Sequence, residues 1–133
     1  MREELMAYVY SKVDDLENTE KVGSRQCVAL IQTYAKLPSA VFWKEGKSVS
    51  DSLIIQKGTA IATFVDGKYQ NRSTGNHAAF FVSKGAGGIW VMDQWTDDRT
   101  KPKVSKRFIR RKGKVDGIYI DPSNNADAYS IIE

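Results

Sequence analysis

With 133 residues, a hydrophobic fraction of 41% and 14 aromatic side chains, the chain has the size and apolar content of one domain spanning residues 1–133, and is too short for two. A net charge of +4 and a pI near 9.2 favour contact with something anionic without naming it. A single cysteine excludes an internal disulfide framework, and no stretch approaches the roughly 18 apolar residues of a membrane-spanning helix.

In chain order, Met1-Arg2-Glu3-Glu4 is acidic where a signal peptide would be basic, so a chain made in the cytoplasm and exported only by special delivery is expected. Leu5, Val9, Val13 and Leu16 recur at helical spacing and predict an amphipathic helix within 2–20, although Tyr8-Val9-Tyr10 is equally able to start extended. Val22-Gly23-Ser24 breaks the pattern. A second helix is predicted over Gln26 to Ala35, ending before Pro38, with Cys27 in its first turn. From Gly58 the character changes. Thr59 to Val65 is apolar and β-branched and precedes an Asp66-Gly67 turn. His77 to Val82 and Ile89 to Trp95 form two more predicted strands around a glycine-rich hairpin loop, 83–88. Val104 to Ile109, Val115 to Ile120 and Ala128 to Ile132 are shorter candidates. Helices first and strands afterwards predict an α+β fold, with N-terminal helices packed on an antiparallel sheet.

Three side chains carry chemistry. Cys27 opens a helix, where unpaired N–H groups and the helix dipole favour a thiolate. His77, the single histidine, opens a strand, and Asp93 ends the next one. A thiol, an imidazole to take its proton and an acid to orient the imidazole are the parts of acyl-transfer catalysis. Each also has a plainer reading: Cys27 as packing beside Val28, Leu30 and Ile31, His77 as a surface residue, Asp93 as a turn acceptor. Pairing Ser83 with Gly88 would put His77 opposite Gln94, and one bulged residue would put it opposite Asp93. Both strands are apolar on both faces, so pattern alone does not choose between them. Asp93 is preferred because its charge can stabilise an imidazolium.

The strings Gln-Cys-Val-Ala-Leu (26–30), Gly-Thr-Ala-Ile-Ala-Thr-Phe (58–64), Gly-Asn-His-Ala-Ala (75–79) and Asp-Gln-Trp (93–95) extend this constellation. Over residues 22–110 the chain resembles the CHAP amidases and NlpC-type peptidases of the papain-like superfamily. Within them it is similar to the small amidase effectors that Gram-negative bacteria deliver by type VI secretion. The resemblance implies a papain-like fold and hydrolysis of peptidoglycan stem-peptide or cross-link amides, leaning to the D-alanyl–diaminopimelate cross-link. It further implies Cys27, His77 and Asp93 as catalytic, with Gln26, Asn76, Gln94 and Trp95 as substrate contacts. The partners implied are the type VI secretion apparatus and a cognate immunity protein, and the place of action is the periplasm of a target bacterium. No cofactor and no membrane insertion are expected. Lys21 stands where papain-like enzymes keep an oxyanion-hole glutamine, so that donor must come from elsewhere, with the Cys27 N–H joined by Gln26 or Tyr8.

Other chemistries fit less well. One His and one Cys without a carboxylate cluster do not make a usual zinc site, and Gly85-Ala86-Gly87-Gly88 lacks the Lys-Ser/Thr of a phosphate loop. Residues 99–114 hold nine Lys or Arg and no acid. That run could contact nucleic acid with Trp90, Trp95 and Phe108 stacking, but a solvated edge strand accounts for it better, and no nucleic acid is expected. A phage-type lysin is the competing setting for the same wall chemistry.

Overall fold

A computed structural model describes residues 7–133. Its one α-helix among the described residues, α1 (Cys27–Ala35), ends on Lys36 in the left-handed conformation. Eight strands follow: β1 (Glu45–Ser48), β2 (Ala60–Thr63), β3 (Ala78–Gly85), β4 (Gly88–Asp93), β5 (Ser105–Arg110), β6 (Lys114–Val115), β7 (Ile118–Tyr119) and β8 (Tyr129–Ile132). Six of them form one antiparallel sheet in the order β1-β8-β2-β3-β4-β5, and β6 and β7 make a separate hairpin.

The sheet is apolar on both faces because both are covered. Ala60, Ala62, Ala78, Phe80, Val82 and Met92 point to one side, where Leu30 and Ile31 of α1 pack against them. Ile61, Ala79, Phe81, Val91 and Ile109 point to the other, against Ala126 and Tyr129 of the C-terminal segment. All four residues of β2 are therefore buried, and the usual in–out alternation is invisible in its sequence.

The α+β class and the helix over Cys27–Ala35 agree with expectation; a helix-rich N-terminus does not. Leu5 lies outside the described residues. From Ala7 on, the segment holds a single bridge between Val9 and Thr59 and a short 3-10 turn at Val13–Leu16. Val13 and Leu16 do enter the core, as their spacing suggested. The backbone, however, bonds outward: Tyr10 N–H to Gly58, Ala60 N–H to Tyr8, and Asn18 N–H to Val104. Sheet partners satisfy these groups, so intrahelical bonds do not form. Gly58 is required where this segment crosses, because a Cβ there would lie 2.0 Å from the Tyr10 carbonyl oxygen.

The Asp66-Gly67 turn forms as expected, closed by reciprocal Val65–Lys68 backbone bonds. The β3–β4 loop is tighter than six residues, since Gly85 pairs with Gly88 across Ala86-Gly87. Strand 115–120 is instead the β6–β7 hairpin, folded at Asp116-Gly117, both at positive φ.

Candidate active site

The N-terminus of α1 and the ends of β3 and β4 converge on a cleft of about 380 Å³ lined by Gln26, Cys27, Tyr69, Asn76, His77 and Trp95, among others. Two contacts fix the approach to the helix. Arg25 N–H closes a turn onto the Val22 carbonyl, 2.9 Å, with Gly23 and Arg25 both at positive φ. The Gln94 side chain then grips the same turn: its Oε1 accepts from Val22 N–H at 3.0 Å, and its Nε2 donates to the carbonyls of Val22 and Gln26, the latter at 2.8 Å. Gln94 is fully buried and is not among the residues that line the cleft. It is thus no substrate contact; it ties β4 to the residue before Cys27.

Lys21 is also structural. Its enclosed ammonium donates to the Trp95 and Thr96 carbonyls and pairs with Asp98 at 2.7 Å, holding the loop that forms one wall of the cleft. Arg25 reinforces the same carboxylate at 3.0 Å. Tyr8, the other oxyanion candidate, is fixed beside β2 and does not line the cleft.

Neither register considered from sequence is the one formed. Phe80 pairs with Met92 and Phe81 with Val91, and a bulge follows before Ser83–Trp90. Continued outward, that register puts Ala79 opposite Asp93 and His77 opposite Trp95. His77 and Asp93 are then diagonal neighbours on one face, within reach of long side chains. They meet directly: His77 Nε2 lies 2.8 Å from Asp93 Oδ2. A carboxylate only accepts, so Nε2 carries the proton, and Nδ1 is left for Cys27. The His77 backbone is itself pinned to Thr63, N–H to Oγ1 and carbonyl to N–H, both at 3.0 Å.

Asp93, completely buried, is braced by two further cations. Arg107 Nε donates to Oδ2 at 2.7 Å. Lys101 Nζ forms an ion pair with Oδ1 at 2.8 Å and donates to the Ser105 carbonyl at 3.2 Å. Trp95 covers the group, its ring edge-on to His77 at 6.1 Å between centroids, with Lys101 and Arg107 over its face at 4.7 and 5.3 Å. Composition did not reveal these two cations, which lay hidden in a basic run read as a solvated edge. Most of that run is paired: Lys103 with Glu20, Arg111 with Asp127 and Lys112 with Asp121.

These contacts set the protonation states. Burial opposes a charged imidazole, but the Asp93 bond and the neighbouring Cys27 outweigh it and raise His77 to about 9. Burial likewise opposes a thiolate at Cys27. The His77 interaction, a Tyr69 contact and the Ala78 backbone N–H overcome it and lower the thiol pKa. Burial pushes Asp93 up, yet His77, Arg107 and Lys101 hold it well below the usual carboxylate range. An imidazolium beside a thiolate is the state this arrangement favours at neutral pH, and it is suited to nucleophilic attack on a carbonyl. A larger cavity of about 450 Å³, lined by Leu53, Ile54 and Ile55, shares none of these groups.

The family model described as domesticated amidase effector 2 matches residues 6–132. A type VI secretion amidase effector 2 protein from Salmonella typhi is 54% identical over 133 residues, covering 96% of this chain and all of that one. Domesticated amidase effector 2 from Ixodes scapularis is 37% identical over 118 residues, covering 84% of this chain and 73% of its own. A solved structure of type 6 secretion amidase effector 2 superposes with a TM-score of 0.89 at 53% identity, over 95% of this chain and 94% of that one.

Proposed function

The chain belongs to the domesticated amidase effector 2 family and is an amidase, and we propose that it hydrolyses peptide amides of bacterial peptidoglycan with Cys27 as nucleophile, His77 as base and acid, and Asp93 as the partner of the imidazolium. The observation that carries this is the orientation of His77: with Nε2 committed to Asp93 at 2.8 Å, Nδ1 is the nitrogen available to the Cys27 thiol. The ring takes the thiol proton at Nδ1. The thiolate attacks the amide carbon, a C–S bond forms, and the carbonyl π pair moves to oxygen. Collapse breaks the C–N bond, and the leaving amine takes the Nδ1 proton. Water then attacks the thioester as Nδ1 accepts its proton; a C–O bond forms, the C–S bond breaks to restore the Cys27 thiolate beside the imidazolium, and the acid product gives its proton to solvent as it leaves as carboxylate.

Within peptidoglycan the proposed bond is the D-alanyl–diaminopimelate cross-link, which rests on the sequence resemblance and not on a contact in the cleft. Export by a type VI secretion apparatus into a target cell's periplasm, and a cognate immunity protein that protects the producer, belong to the same proposal. The names of the similar effectors support the secretion route. The test is mass spectrometry of Gram-negative sacculi digested with wild type and with Cys27→Ala. New amine and carboxyl termini at the cross-link, absent with Cys27→Ala, are expected. Termini only within the stem peptide would refute the bond, and an active Cys27→Ala would refute the mechanism.

A further inference from the structure

Tyr69 lies between β2 and β3, outside every motif. Its side chain is 9% exposed and its ring packs on Trp43 at 5.0 Å between centroids. Trp43 is held in turn by its Nε1 donating to the Pro38 carbonyl at 2.9 Å. The phenol therefore has little freedom, and its hydroxyl stands 3.6 Å from Cys27 Sγ.

Neighbouring groups settle which atom donates. Asn76 Oδ1 accepts from Arg72 N–H at 2.7 Å, so the amide nitrogen is turned the other way and donates to the Tyr69 oxygen at 3.3 Å. That occupies the phenol as an acceptor and leaves its hydrogen for sulfur. Burial and the Cys27 charge both raise the phenol's pKa, so it keeps this hydrogen at any pH at which the site works. Three other groups are committed elsewhere, Lys21 to the 95–98 loop, Gln94 to the 22–26 turn and Tyr8 to the edge of β2, while Gln26 lines the same cleft.

Resting on Cys27 as the nucleophile, we propose that the Tyr69 hydroxyl is a catalytic donor that first holds the Cys27 thiolate and then the substrate oxyanion. During attack, charge leaves sulfur for an oxygen bonded to the adjacent carbon. Sulfur, now in a C–S bond, becomes a poor acceptor and the oxyanion a strong one, so the donor follows the charge with a small rotation and no proton transfer. The Cys27 N–H, at the first position of α1 and without an intrahelical acceptor, supplies the second bond. Tyr69 thus takes the place that Lys21 leaves vacant.

The experiment uses the full chain with Tyr69→Phe, which keeps the ring. Turnover of cross-linked muropeptides is expected to fall about 100-fold with little change in KM, as removal of one oxyanion donor does. Iodoacetamide alkylation of Cys27, followed against pH, should show its acid limb moved upward. Installing 3-fluorotyrosine at position 69, a more acidic donor of nearly equal size, should move that limb downward. Wild-type turnover by Tyr69→Phe, an unmoved alkylation profile in either variant, or a loss confined to Gln26→Ala would each overturn the proposal. Cys27→Ala in parallel separates the two claims: an active Cys27→Ala removes the nucleophile itself, whereas an inactive one beside a fully active Tyr69→Phe removes Tyr69 alone.

Discussion

Asp93→Asn changes almost no volume and removes one charge from a point where three cations meet, His77 at 2.8 Å, Arg107 at 2.7 Å and Lys101 at 2.8 Å. The Lys101 side chain is 5% exposed, so the substitution removes the counter-ion of a buried ammonium and leaves it the Ser105 carbonyl, a change that costs about 3–5 kcal/mol. For a chain of this size that lowers the melting temperature by about 10 °C or more. The His77 share of the loss depends on pH. Its pKa rises from 6.5 unfolded to about 9 folded, so its stabilisation is complete below 6.5 and disappears as pH climbs through 9. The depressed Asp93 pKa describes the same interaction from the other side, so the two shifts do not add. The melting gap between wild type and Asp93→Asn should be widest below pH 6.5 and narrower at pH 10. A remainder persists from Lys101 and Arg107. Activity should show the same cause: the basic limb of the pH–rate profile, near 9 in wild type, should move down, because burial then acts on an imidazolium that only Cys27 still supports. Melting curves at five or six pH values and a pH–rate profile at a temperature where both proteins are folded would check this. A pH-independent gap, together with a basic limb still near 9, would refute the reasoning.

Three further outcomes are expected. His77→Ala should be about as inactive as Cys27→Ala, and the double variant no worse, because groups acting as one unit are not additive; EDTA should leave wild-type turnover unchanged, which residual activity assays would check. Gln94→Ala strips partners from Val22 N–H and from two carbonyls, so it should cost about 2–3 kcal/mol in denaturant melts and lower kcat although it does not line the cleft. Lys21→Met removes three contacts to the 95–98 loop, and hydrogen exchange of that loop should accelerate while amides of β2 and β3 stay protected.

Much of the site was legible because local rules wrote it. A Gly-Ser break, a helical run and a downstream proline located Cys27 at the start of α1, and capping and helix geometry depend on neighbours in the chain. His77 and Asp93 were legible as the ends of two strands. What was hidden depends on contacts between distant segments. Lys101 and Arg107 sit among seven other Lys and Arg between residues 99 and 114, and composition does not say which turn inward. Tyr69 lies in a loop with no period to read, and its importance comes from a thiol 42 residues earlier in the chain. The N-terminal segment misled for a related reason: Val13 and Leu16 are core residues at helical spacing, but their backbones found partners in the sheet.

His77 meets Asp93 and not Gln94, although neither pairing scheme drawn from the sequence is the one formed. Successive strand residues face opposite sides, so only one of the two could share a face with His77, whatever the exact register. Burial then assigns each neighbour its work. On the His77 face lie Arg107 and Lys101, which can only donate, and an amide could not neutralise them together with an imidazolium. On the other face lie a backbone N–H and two carbonyls of the 22–26 turn, which need a side chain that both accepts and donates. Aspartate has no donor for the carbonyls, and glutamine has no charge for the cations. Exchanging the two residues would leave both faces unsatisfied, so their order at the end of β4 follows from the polar groups each one meets.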